Sequence, residues 1–231
     1  MNLAVIPARG GSKRIPRKNI KNFCGKPMIA WSIQAALASN CFDKVIVSTD
    51  DLEIADIAEQ YGASIPFIRP ATLSDDYTGT TAVVRHAIDS LNSMGEDYAL
   101  TACIYATAPF VSGLLLKEAM SRLTNHVSDF VFSVTEFSYP IQRALRINSS
   151  GRVEMMNPEY GSSRSQDLEP AYHDAGQFYV GKTASWGTKG VLSTDSLPFV
   201  LPNYRVQDID TPDDWKRAEL MFRALQASGE L

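Results

Sequence analysis

Leu3-Ala-Val-Ile6 leads directly into Pro7-Ala-Arg-Gly-Gly-Ser-Lys-Arg-Ile-Pro-Arg-Lys-Asn19. Four apolar residues without polar alternation predict a strand covered on both faces, as in a parallel sheet. The loop that follows has the composition of an anion site. Gly10 and Gly11 let the backbone turn and bring its N–H groups to a negative charge. Ser12 adds a hydroxyl donor, Arg9 a planar fork, and Lys13 and Lys18 compact positive charges. The Walker phosphate loop and the dinucleotide fingerprint are both absent. On composition alone, the loop admits two readings: a phosphate cradle or a solvated basic surface.

Outward from this loop, short apolar runs alternate with helical periods. The pattern predicts helices over 27–38, 52–61, 80–91 and 114–123, and strands over 45–48, 64–68, 98–105 and 130–135. In the second helix Leu52, Ile54, Ala55, Ile57 and Ala58 are expected inward, with Gly62 as the stop. The strand–helix order predicts an α/β fold, a mainly parallel sheet with helices on both faces, binding ligands at the carboxyl ends of its strands. Residues 138–175 break the pattern. They lack a helical period and are too long for a structureless loop, so they predict a β-ribbon that packs on a partner. Residues 177–180 and 205–210 read as returning strands. Thr211, Pro212 and Asp214 predict the N-cap, first residue and capping box of a last helix.

Composition bounds the rest. The 231 residues fit one domain, with 138–175 as a protruding subdomain. No apolar run approaches the roughly 20 residues of a membrane span. With no signal peptide in view, the cytoplasm is the expected location. Cys24, Cys41 and Cys103 lack zinc or redox spacing and read as reduced thiols. Lys and Arg total 22 against 26 Asp and Glu. Seven cations (Arg9, Lys13, Arg14, Arg17, Lys18, Lys21 and Lys26) precede the first acid, Asp43. Such segregation predicts a site for a small polyanion rather than a nucleic-acid surface. An RNA- or phosphate-binding module is the non-enzyme alternative, disfavoured by the lack of aromatics among residues 9–21.

Several further strings carry a resemblance. They are Gly25-Lys-Pro-Met-Ile29, Ala30-Trp-Ser-Ile33, Val47-Ser-Thr-Asp50 and Arg69-Pro-Ala-Thr-Leu-Ser-Asp75. Ala106-Thr-Ala-Pro109, Gly176-Gln-Phe-Tyr179 and Asp208-Ile-Asp-Thr-Pro212 follow. With the first loop, they resemble the acylneuraminate cytidylyltransferase family over nearly the whole chain. The resemblance implies a Rossmann-like nucleotidyltransferase fold, CTP as donor, a nonulosonic acid as acceptor, Mg2+ as cofactor, pyrophosphate as product, and a homodimer. It implies that Arg9, Gly10, Gly11, Ser12, Lys13 and Lys18 hold the triphosphate, with Asn19 beside them. Arg69, Thr80 and Thr81 would lie near the nucleotide, although Asp75-Asp-Tyr-Thr-Gly-Thr-Thr81 is one residue longer than the commoner spacing. Lys18, Arg9 and Asp210 would carry the catalysis.

Asp208 and Asp210 stand two apart near the end of the expected strand, where two carboxylates can share one hard cation. The alternative is a solvated Asp208 and a helix-capping Asp210; the resemblance favours the metal. Tyr105, His173, Asp174 and Gln177 match the stretches that line the sugar pocket, while His173 also admits a structural reading. Asp50 is expected to cap the helix after it. His86 and His126 read as structural, and Trp31, Phe130, Phe132 and Trp215 as packing. Sialic-acid-activating members commonly have Gln where Tyr105 stands and Gly where Arg14 stands. These departures point to a relative of sialic acid, and the resemblance is nearest to members that activate pseudaminic acid. N-acetylneuraminic, legionaminic and 3-deoxy-octulosonic acids are the alternatives, and GTP or ATP chemistry is the alternative reaction.

Overall fold

The N-terminal apolar run forms β1 (Asn2–Pro7), fully buried from Leu3 to Ile6 in a computed structural model that describes residues 1–231. A tight two-residue ladder, β2 (Asn22–Phe23) and β3 (Lys26–Pro27), leads into α1 (Met28–Ala38). Then come β4 (Lys44–Ser48), α2 (Leu52–Gln60), α3 (Thr80–Ser93), β5 (Leu100–Ile104) and α4 (Gly113–Asn125). The chain continues through β6 (Phe130–Glu136), a hairpin of β7 (Leu145–Ile147) and β8 (Val153–Met155), and β9 (Tyr172–Lys182). It finishes with β10 (Ser196–Val200) and α5 (Pro212–Ser228). No helix is long and apolar enough to cross a membrane.

Six strands form one sheet in the order β10-β6-β9-β5-β1-β4. β1 runs parallel to β4 and β5, and β10 parallel to β6. Only β9 is reversed, antiparallel to both β5 and β6. The carboxyl ends of β1, β4, β5 and β6 therefore share an edge with the start of β9. Alternate residues of β1 face opposite layers. Ala4 and Ile6 join Ile33, Ile54 and Leu116 beneath α1, α2 and α4. Leu3 and Val5 join Val84, Ile88 and Trp186 beneath α3. Helices thus cover both faces, as expected.

Four expectations need correction, the last of them in the 138–175 segment. Residues 64–68 make one bridge, Ser64 to Ile46, and no strand, because Pro66 lacks the N–H that a ladder needs. Residues 205–210 are likewise not a strand. The chain forms a short turn at Asn203–Arg205 and crosses the sheet edge without a strand partner. Strand β10 lies just before it. Pro198 hides it in the sequence, and an edge strand tolerates that residue. Leu52, expected inward, is exposed, whereas Ile54, Ala55 and Ala58 are buried.

A third apolar cluster anchors the site. Ile15 of the glycine loop and Phe23 pack with Phe110 on Trp215 and Phe222 of α5. Thr211 caps α5 in a capping box with Asp214, as the sequence predicts. Within 138–175, β7 and β8 pair with each other as a ribbon. Tyr172–Ala175 differs from the expectation, since it belongs to the central sheet through β9.

Candidate active site

The carboxyl edge of the sheet holds two cavities that share Tyr105. The first, about 310 Å³, lies over the loop after β1. Arg9, Ser12, Lys13, Lys18 and Asn19 line it from that loop. Arg69, Thr80 and Tyr105 line the far wall, and Asp210 closes one side. The loop is fixed rather than draped. Asn19 is buried, and its Nδ2 donates to the Arg9 carbonyl at 3.0 Å. Gly10 is required by close approach. An added Cβ would lie 2.5 Å from an Asp51 carboxylate oxygen and 3.0 Å from the Asp51 Cβ. Gly10, Gly11 and Thr81 do not line this cavity. The Gly10 N–H donates to Asp50 at 3.0 Å instead.

Asp51, not Asp50, caps α2, accepting from the Ile54 N–H at 3.1 Å. Asp50 turns to the glycine loop and lies 3.7 Å from the buried Arg69 guanidinium. Burial pushes Arg69 down from the usual arginine range, and Asp50 partly offsets this. Arg69 Nε donates to Ser74 Oγ at 3.1 Å, which holds the fork against the cavity wall.

Five of the seven cations segregated in sequence are paired with acids in space, Arg9, Lys13, Arg14, Arg17 and Lys18. Arg9 donates to Asp76 at 2.7 Å and to the Asp75 carbonyl at 2.8 Å. Lys13 reaches the other oxygen of Asp76. Lys13 and then Arg9 hold the Asp76 carboxyl below the usual carboxylate range. Arg14 pairs with Asp210 at 2.8 Å, and Lys18 lies 3.2 Å from its other oxygen. Lys18 also donates to the Ile209 carbonyl at 2.6 Å, tying the first loop to the segment before α5. Arg14 is expected only as a departure from the sialic-acid pattern, and Asp76 is not among the expected site residues. Their signals were the cation within the basic string and the extra residue in Asp75–Thr81.

The second cavity, about 580 Å³, lies between β6, the start of β9 and residues 203–208. Tyr105, His173 and Asp174 line it, joined by Tyr179, Asn203 and the expected metal ligand Asp208. Gln177 does not line it. This side chain is buried behind the wall and donates to the Arg205 carbonyl at 2.6 Å. The His173 ring bonds the Asp174 carbonyl at 2.9 Å and packs on Phe137. No Lys or Arg lines this cavity.

Asp208 and Asp210 flank the buried Ile209, so their alternation survives without a strand. Asp208 faces the second cavity and Asp210 the first. Partial burial and then the Asp210 charge push the Asp208 carboxyl up. Asp208, raised by burial and then by its neighbour's charge, fits a place beside a hard divalent cation. No third protein ligand closes a cage around the pair. That suits an ion which keeps positions for water and phosphate oxygens. Of the two bland histidines, His126 bonds its own helix at Arg122, and His86 packs edge-on to Phe67.

The comparisons agree with this geometry. The cytidylyltransferase family model matches residues 3–176. The chain is 48% identical to the pseudaminic acid cytidylyltransferase of Campylobacter jejuni, over 96% of both chains. It is 35% identical to the CMP-N,N'-diacetyllegionaminic acid synthase of Legionella pneumophila, over 97% of both. In fold it resembles a CMP:2-keto-3-deoxy-manno-octonic acid synthetase solved with CTP. That likeness has a TM-score of 0.69 at 16% identity and covers 100% of this chain and 99% of the other. The loop after β1, the two cavities at one sheet edge and the end-to-end similarity have one common explanation: this chain belongs to the cytidylyltransferase family.

Proposed function

We propose that the protein transfers CMP from CTP to the anomeric hydroxyl of a nonulosonic acid, pseudaminic acid foremost, and releases pyrophosphate. The observation that carries this reading is the end-to-end identity of 48% with a pseudaminic acid cytidylyltransferase. The geometry supports it: a cation-lined cleft opens, across Tyr105, onto a second cavity lined by hydrogen-bonding side chains.

CTP carries several negative charges, and the sugar acid adds one. In this reading Arg9, Lys13, Arg14 and Lys18 exchange Asp76 and Asp210 for phosphate oxygens. Arg69 and Thr80 face the nucleoside end. The anomeric oxygen bonds to the α-phosphorus while the bond to the bridging oxygen breaks. Pyrophosphate leaves with that electron pair, and the hydroxyl proton passes to solvent. The protein's contribution is positioning and fixed positive charge where negative charge develops. Asp208 and Asp210 would hold Mg2+, which when bound adds charge neutralisation at the phosphates. Residues outside the central sheet, chiefly the β7–β8 ribbon, would join two copies in the cytoplasm. Leu145, Ile147 and Val153 on that ribbon are exposed.

The test is a competition under limiting enzyme with CTP and Mg2+. Pseudaminic, N-acetylneuraminic, legionaminic and 3-deoxy-octulosonic acids compete, and pyrophosphate release and CMP-sugar masses are the readouts. Highest kcat/KM on pseudaminic acid is expected. Preference for N-acetylneuraminic acid refutes the choice of sugar. Use of GTP or ATP in place of CTP refutes the donor.

A further inference from the structure

Asp174 is solvent-exposed at the wall of the second cavity, and two donors hold its carboxylate. The Gly176 N–H donates to Oδ1 at 2.8 Å. The Tyr179 hydroxyl donates to Oδ2 at 2.5 Å. Tyr179 itself is only 7% exposed, and its ring stacks on Phe132 at an interplanar angle of 16°. The phenol is therefore an immobile support, and Asp174 is the part that meets solvent. Burial first, then Tyr105 and Asp174, push Tyr179 up, so it keeps its proton.

That single proton fixes the direction of a chain. A carboxylate only accepts, so Tyr179 spends its hydrogen on Asp174. The Tyr179 oxygen is left as an acceptor, and the Tyr105 hydroxyl lies 3.4 Å away. Tyr105 in turn lies 3.1 Å from Thr80 Oγ1 in the nucleotide cleft. Asp174 has lone pairs left over and makes no ion pair, since no Lys or Arg lines its cavity. A carboxylate held in this way accepts N–H or O–H donors and repels another carboxylate.

Resting on the CMP-transfer reading above, we propose that Tyr179 is a positioning residue for sugar recognition. It aims Asp174 as the acceptor that reads an amide N–H or hydroxyl of the sugar acid. The sugar's own carboxylate is thereby turned away from this wall. Tyr179 touches neither CTP nor the reacting atoms in this arrangement, so its effect belongs to the sugar.

The experiment is steady-state kinetics of the full chain, with CTP, Mg2+ and the sugar acid that the wild type uses best. Tyr179→Phe removes one hydroxyl and keeps the packed ring. The sugar KM should rise about tenfold, the factor that corresponds to ~1.4 kcal/mol, while the CTP KM stays within about twofold. Asp174→Asn should raise the sugar KM similarly, and the double variant should be no worse than either single one. An unchanged sugar KM in both variants overturns the proposal while CMP transfer stands. So does a parallel rise in both KM values with a fall in melting temperature, the mark of a merely structural bond. Should Tyr179→Phe not fold, the exposed Asp174→Asn carries the same test. A wild type that forms no CMP-sugar fails at the control, and the functional reading falls first.

Discussion

Replacing Lys18 by Met separates two jobs that the structure gives to one ammonium group. The side chain is 19% exposed at the cleft wall. Its Nζ donates to the Ile209 carbonyl at 2.6 Å and lies 3.2 Å from Asp210. Met keeps most of the stem and removes the charge. A hydrogen bond to a charged group contributes about 1.5–3 kcal/mol when buried. Arg14 still neutralises Asp210, and the cleft is open to solvent at the Lys18 side chain, so the stability loss should be nearer ~1–1.5 kcal/mol. The effect on CTP is separate. A cation about 4 Å from a phosphate charge gains roughly 4 kcal/mol at an effective dielectric near 20. Desolvation and the lost Asp210 contact offset part of that gain. A net ~1.5–3 kcal/mol remains, or about a 10- to 150-fold fall in kcat/KM for CTP. Urea denaturation measures the first number and a CTP titration the second. Lys18→Arg, which keeps the charge, should recover part of both. The expected stability loss with unchanged CTP kinetics would make Lys18 a tether between two loops and remove it from the nucleotide site.

Three other outcomes are expected. Asp210→Asn removes a hard anionic ligand at nearly constant volume and should lower Mg2+-dependent turnover by about 100-fold or more, with under ~1 kcal/mol lost in denaturation; a folded variant with full activity clears Asp210 of the role. Charging the exposed ribbon with Leu145→Asp and Ile147→Asp should yield monomers by sedimentation velocity, and an unchanged dimer would place the interface elsewhere. Asp51 is held low, first by its hydrogen bond from Arg17. A folded pKa below the unfolded one means its stabilisation is present above about pH 4 and is lost as pH falls through the lowered value. Arg17→Met should therefore flatten the acid limb of stability against pH, and an acid limb of unchanged slope would show that Asp51 is not part of it.

The nucleotide side of the site was legible because it is local. Arg9, Ser12, Lys13, Lys18 and Asn19 come from one loop, and the strand before it faces hydrophobic layers on both sides. A strand–loop motif of that kind needs no knowledge of long-range pairing. The charge reading was right about place and incomplete about balance. Seven cations precede the first acid in sequence, but Asp76, Asp210 and Asp51 return to them in space. Counting along the chain cannot see such neutralisation, because each carboxylate arrives from a different turn of the fold. Asp50 and Asp51 show the same limit at short range. Both sit at the start of α2, and only the backbone path decides which one caps it.

The second cavity was less legible for a topological reason. Gln177–Val180 reads as one more buried strand, and an apolar run has no direction. In the sheet this strand is reversed between β5 and β6. Its early residues, His173 and Asp174, therefore stand beside Thr135 and Val134 near the end of β6. Reversal brings a strand's start to the edge where every other strand of the sheet ends. The local register then separates the members of the Gly176–Tyr179 motif. Gln177 turns behind the wall, and Tyr179 reaches through to Asp174. Two residues apart, Gln177 and Tyr179 would share a face in a regular strand; the irregular register between the Phe132–Tyr179 and Val134–Asp174 pairs separates them, and a period of two does not reveal it. A residue chosen from the motif by chemistry alone was Gln177, an amide suited to a sugar. The geometry instead puts a phenol there, with its proton already committed to a carboxylate. Specificity at that wall then depends on what Asp174 can still accept.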